Sequence, residues 1–179
     1  MSTDQSTTAN NSITTSPKVR TGSCRCGKLT FSVQGPRLFS NYCHCRNCRK
    51  GTSAPFTLII GIPDQQFQWT CNNLALLKSM PFTENFEGYC AESGGYVAQK
   101  PLKAPFVSTV ACCYDEMKQT FCPLKDVIEK EGENGVEYFF KPERHVNYEN
   151  RVCDVNDELP KFLDFPSPRG SGRLYSKEQ

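Results

Sequence analysis

Leu29, Phe31 and Val33 alternate with Lys28, Thr30, Ser32 and Gln34. That period of two predicts a strand with one face buried. Residues 56–60 form a short apolar run rich in β-formers. Further strands are expected at 74–79, 96–99, 106–112 and 136–140, each bounded by Gly, Pro or Asn. No window of a dozen residues holds a 3.6-residue apolar period. The nearest helical candidates, 124–131 and 156–163, are short. Twelve Gly and twelve Pro fit a turn-rich β architecture better than a helical bundle.

The polar ends frame this core. Residues 2–16 hold eleven Ser, Thr or Asn and one large aliphatic residue, Ile13. Such a stretch cannot bury enough apolar surface to offset its ordering entropy, so residues 1–20 are expected to be a disordered leader. Residues 165–179, rich in Pro, Gly and Ser, are expected to be a surface tail. The folded domain is expected over 21–164. No stretch approaches the roughly 20 apolar residues of a membrane span.

Composition changes the picture at one point: the 179 residues include 11 cysteines. A secreted disulfide scaffold calls for a short chain, an even count and an apolar leader. None of these is present in the sequence. Ordinary buried thiols can account for some of the cysteines but not for tight clusters, so metal binding in a reducing, cytoplasmic compartment is the leading reading. The formal charge of +2 argues against a nucleic-acid partner held by bulk charge. The charge is nonetheless uneven. Between Gln5 and Pro63 there are eight basic residues and no acidic one. Arg46, Arg49 and Lys50 therefore stand as candidates to receive an anionic ligand.

The spacing of the cysteines carries the chemistry. Cys43, Cys45 and Cys48 lie within six residues. Cys-x-x-Cys is the tight-turn spacing that brings two thiolates to one metal, and Cys43 adds a third. Structural zinc sites close with four protein ligands, whereas catalytic ones keep three and leave a position open. His44 lies between two ligands, where an extended chain turns it away from the metal. Cys24 and Cys26 supply only two ligands and need distant partners. Cys90 offers a third in the frame of a knuckle, with Ser93 where a fourth cysteine would sit. Cys71, Cys112, Cys113, Cys122 and Cys153 fall outside close patterns and read as buried thiols.

Residues 22–33, beginning Gly22-Ser23-Cys24-Arg25-Cys26-Gly27, and residues 43–49 with Gly51 and Phe56 resemble the glutathione-dependent formaldehyde-activating enzyme family. That family is grouped with centromere protein V. The resemblance extends more loosely over about 20–163. It implies a mainly β, Mss4-like "β-tent" of antiparallel sheets with zinc knuckles and few short helices. It implies two zinc sites: an open catalytic one at Cys43, Cys45 and Cys48, and a structural one at Cys24, Cys26, Cys90 and the position of Ser93. It also implies carbon–sulfur lyase chemistry on a glutathione adduct. The residues name no general base outright: His145 is a candidate, and His44 is a candidate for packing or for a hydrogen bond behind the ligands, or for ligation itself. Several positions depart from the family pattern. They are Ser93, Gly88, the run Cys112-Cys113-Tyr114-Asp115, Cys153, and an insertion over about 117–138. The expectation is a diverged zinc enzyme acting on a small molecule. The alternatives are a Lewis-acid tailoring enzyme that does not use glutathione, or a non-catalytic zinc module that binds a partner protein. Oligomeric state is left open, a homodimer included.

Overall fold

The computed structural model describes residues 18–79, 85–101, 104–117 and 139–176. Three strands form the first sheet: β1 (Val19–Ser23), β2 (Thr30–Gln34) and β5 (Phe67–Trp69), in the order β1-β2-β5. The strand expected around Leu29–Val33 is β2. Its inward residues Phe31 and Val33 are fully buried, with Leu29 just ahead of them. Both pairings in this sheet are antiparallel.

Seven strands form the second sheet. They are β3 (Phe39–Cys43), β4 (Thr57–Pro63), β6 (Leu77–Lys78), β7 (Asn85–Cys90), β8 (Tyr96–Pro101), β9 (Phe106–Val110) and β10 (Arg144–Val146). Their order is β10-β3-β4-β9-β8-β7-β6. The molecule is mainly β, as expected. The sheets are not purely antiparallel, because β10 runs parallel to β3 at the edge. That pairing brings Val146 beside Cys43 and His145 beside Tyr42.

The second sheet has an apolar cluster on each side of β4. Ile60 and Ile62 join the main core with Phe31, Val97, Tyr114 and Phe140. Ile59, on the other face, packs with Cys43, Cys48 and Val146. The period of two in β4 thus separates the structural core from the cysteine cluster. Aromatic contacts dominate the main core. Phe31 meets Phe67, Trp69 and Tyr114 at ring distances of 5.6, 6.3 and 5.1 Å. The Tyr114 hydroxyl, fully buried, is paired with the Thr109 hydroxyl at 2.7 Å. Arg20 is buried too. Its guanidinium lies over Phe139 and binds Glu116 at 2.7 Å.

The sequence expectations meet the structure unevenly. The apolar runs at 56–60 and 96–99 fall on β4 and β8, 106–112 is a strand only to Val110 and then a helical turn, and 74–79 is a short helical turn followed by β6. The helix expected over 156–163 is absent. Pro160 removes a backbone donor, and the Asp157 carboxylate takes the Leu159 N–H and the Lys161 ammonium, holding an extended segment instead. The expected helix at 124–131 lies outside the described residues, as do most of the expected leader, part of the 136–140 strand, Cys122 and nearly all of the insertion. Strand β1 begins at Val19, just inside the expected leader. The segment after Asp164 runs along the surface, where Tyr175 N–H donates to the Lys161 carbonyl and Leu163 N–H to the Arg173 carbonyl. No described helix is long and apolar enough to cross a membrane.

Candidate metal centre

Strand β3 ends at Cys43, and a seven-residue helix, α1 (Arg46–Thr52), starts three residues later. Cys45 is its N-cap, accepting the Cys48 N–H on sulfur at 3.4 Å. Cys48 faces inward from the first turn and is fully buried. One helical turn therefore folds Cys48 back onto Cys45, and the end of β3 brings Cys43 to both. The three sulfurs lie within 4.8 Å of one another. Asn147, in the left-handed conformation at φ 54°, points its amide at Cys43 and donates to the sulfur at 3.7 Å. The electrostatics are those of a shared-proton cluster. Hydrogen bonds from the Cys43 and Cys48 thiols, aided by backbone N–H groups, pull Cys45 down to about 3. The Cys45 thiol and burial push Cys43 up to about 12, and Cys48 is raised by the same two thiols and by burial. The neighbouring thiols and backbone N–H groups thus favour the thiolate form of Cys45, and three sulfur donors suit a soft divalent cation.

The ring nitrogens of His44 are not among the ligand atoms that converge here. The ring is fully buried, stacked against Phe56, His145 and Tyr148. Its Nε2 lies 2.8 Å from His145 Nδ1, and His145 Nε2 lies 2.9 Å from Asp157 Oδ2. Burial lowers His44 to about 4, helped by competition with the neighbouring His145 for a proton and by the Arg151 and Arg49 charges. Burial also lowers His145, although Asp157 opposes it. Arg49 is half-buried and donates to the His44 carbonyl at 3.0 Å, so it braces the loop. Arg46 and Lys50 are exposed on α1.

The second cluster joins two knuckles. Cys24-Arg25-Cys26-Gly27 forms a turn in which Gly27 N–H donates to the Cys24 carbonyl, with Gly27 at φ +78°. Cys90 closes a similar turn through Gly94, at φ +64°. Both conformations favour glycine. Cys26 sulfur lies 3.4 Å from Cys24 and 3.6 Å from Cys90, close to the roughly 3.7 Å edge of a tetrahedron with 2.3 Å zinc–sulfur bonds. Lys28 and Glu92 pair at 2.5 Å across the two knuckles. Burial works against ionisation of Cys90, but the Ser93 hydroxyl and nearby backbone N–H groups pull it down to about 6. The Ser93 hydroxyl also acts on Cys26 as a hydrogen-bond partner. Cys24 and Cys90 are buried and Cys26 is exposed. Ser93→Cys is expected to complete a four-thiolate site. A second zinc should then resist chelator in the variant and be lost faster from wild type; equal retention would count against Ser93 as the weak corner.

Gly88 lies on β7, where a Cβ would come 3.2 Å from Trp69 and Leu77, so it packs away from either cluster. All ten described cysteines are free. Outside the clusters the expectation of buried thiols fails: Cys112 and Cys153 are exposed and Cys71 and Cys113 only partly buried, because they lie on turns and loops rather than on inward strand faces. Sequence reasoning found the six clustered cysteines. It missed Asn147, Tyr148 and Asp157, which no spacing rule connects to residues 43–48.

A mainly β scaffold carries, among the described residues, two three-cysteine clusters that could each hold a metal ion. The chain belongs to the glutathione-dependent formaldehyde-activating enzyme family, whose model matches residues 19–131. His145, Asn147 and Asp157 lie beyond the matched residues. A crystal structure of a Rhodobacter sphaeroides protein is similar at 15% sequence identity with a TM-score of 0.46, covering 59% of this chain and 93% of that one. No curated protein matches the chain.

Proposed function

We propose that this chain is a zinc-dependent enzyme of carbon–sulfur chemistry, acting at Cys43, Cys45 and Cys48 on a small carbonyl compound or its thiol adduct. The thiol is glutathione or one like it. The observation that carries the reading is the convergence of three thiols with no fourth His, Cys, Asp or Glu ligand atom among the described residues. Three ligands leave one tetrahedral position for a substrate. Zinc bound there would supply a thiophilic Lewis acid that favours a thiolate and polarises a carbonyl.

The protein's own groups prepare that position. The Asn147 amide and the Cys48 N–H hold two sulfurs by hydrogen bonds. Arg49 fixes the loop backbone between them. Arg46 and Lys50, exposed on α1, offer positive charge to the carboxylates of glutathione. The departures at Ser93, Cys112, Cys113 and Cys153 favour a carbonyl substrate other than formaldehyde. The free state of the described cysteines accords with a reducing cytoplasm.

Calorimetric titration of zinc-loaded protein tests the reading with two ligands, glutathione and S-methylglutathione. The free thiol is expected to bind and to release a proton, and the blocked sulfide to bind far more weakly. Equal binding of both, or binding of neither, would contradict it.

A further inference from the structure

His44 and His145 are the only two histidines of the chain, and they touch. Both rings are fully buried. The contact continues from His145 Nε2 to Asp157 Oδ2 at 2.9 Å. At the other end, His44 Nδ1 is buried and has no hydrogen-bond partner among the described residues.

Counting donors fixes where the protons sit. An ionised carboxylate only accepts, so His145 Nε2 carries a proton. A neutral His145 then has a bare Nδ1, and His44 Nε2 must donate to it. A neutral His44 is left with a bare Nδ1. The alternative places a charge on the buried His145 ring and turns His44 over. His44 Nδ1 would then carry an orphaned, buried N–H. Burial disfavours the charge, and an unpaired donor costs its full desolvation.

We infer that Asp157 is a positioning residue which, through His145, holds both histidines as Nε2–H tautomers and leaves His44 Nδ1 as an unprotonated acceptor on the cysteine loop. Asp157 is itself fixed. Its other oxygen accepts Lys161 Nζ at 2.7 Å and the Leu159 N–H at 3.3 Å. It lies in the wall of a cleft of about 240 Å³ with Val155, Leu159 and Tyr175. The chain of contacts thus ties the 43–45 loop to the 157–161 segment, two parts of the fold about a hundred residues apart in sequence. A bare imidazole nitrogen is an acceptor for an S–H or O–H, here buried beside the cysteine loop rather than open to solvent. That use of the acceptor rests on the proposed function, whereas the tautomers do not.

Long-range proton–nitrogen spectra of the uniformly 15N-labelled full chain at neutral pH read the tautomers directly, because only two imidazoles contribute. Both rings are expected as Nε2–H. An Nδ1–H signal from His44, or a doubly protonated His145, would overturn the inference. Asp157→Asn, nearly isosteric, sharpens it. Lys161 draws the amide oxygen, so the NH₂ faces His145 Nε2 and donates. Both rings are then expected to invert to Nδ1–H. Lys161→Gln keeps the carboxylate and should leave the wild-type tautomers. Unchanged tautomers in Asp157→Asn would remove Asp157 from the role. None of these readouts needs zinc, a thiol or turnover, so they stand or fall apart from the proposed chemistry.

Discussion

Cys45→Ser is expected to empty the 43–48 cluster, lowering zinc content by about one ion per chain, because three ligands fall to two. Cys45 is the cysteine whose thiolate form the neighbouring thiols and backbone N–H groups favour, and it also caps α1. Serine keeps a cap of the same kind, so the helix should persist while the metal is lost. That separates the metal effect from a folding effect. Affinity at this cluster should fall by more than the ~10–100-fold that losing an outer partner of a ligand costs. Metal analysis after desalting against a mild chelator checks it. Zinc content equal to wild type would remove Cys45 from the site. Cys153→Ser, at an exposed thiol outside both clusters, is the matched control and should keep the wild-type content.

Phe31→Ala is expected to cost about 3–5 kcal/mol of stability, a large share of the ~5–15 kcal/mol that holds a domain together. Phe31 is fully buried at the centre of the first sheet. Truncation would remove three aromatic contacts at once and leave a cavity against Phe67, Trp69 and Tyr114. Cys24 and Cys90 belong to the same apolar cluster. The second metal site should therefore weaken along with the fold, whereas Cys43 and Cys48, packed on the other face of β4, should suffer less. Urea unfolding of the zinc-loaded protein checks the magnitude. Leu38→Ala, at an exposed position, should change stability by no more than about 0.5 kcal/mol. A Phe31→Ala loss near that small value would contradict the placement of the core.

Local pattern made much of this molecule legible in the sequence. β2 announces itself by alternation, and β4 by a dense run of Ile, because both bury a face over several residues. Strands β3 and β10 do not. Ser40, Asn41 and His145 are buried polar residues, and Arg144 a half-buried one, placed by partners far along the chain. The helix α1 is equally hidden. It spans seven residues and is fixed by the Cys45 cap, too short to show a 3.6 period. Of the site, the two cysteine clusters were visible because metal ligation imposes short spacings on the chain. Asp157 was not visible, because a hydrogen bond to His145 imposes none. The polar, Pro-containing stretch around it reads equally well as a loop or as the start of a helix.

The central claim is that Cys43, Cys45 and Cys48 leave a metal position open to a thiol. X-ray absorption at the zinc edge counts sulfur neighbours directly. In zinc-loaded wild type, the mean number of sulfurs per zinc should rise when glutathione is added, and the rise should be absent in Cys45→Ser. A sulfur count unchanged by glutathione in wild type would contradict the account.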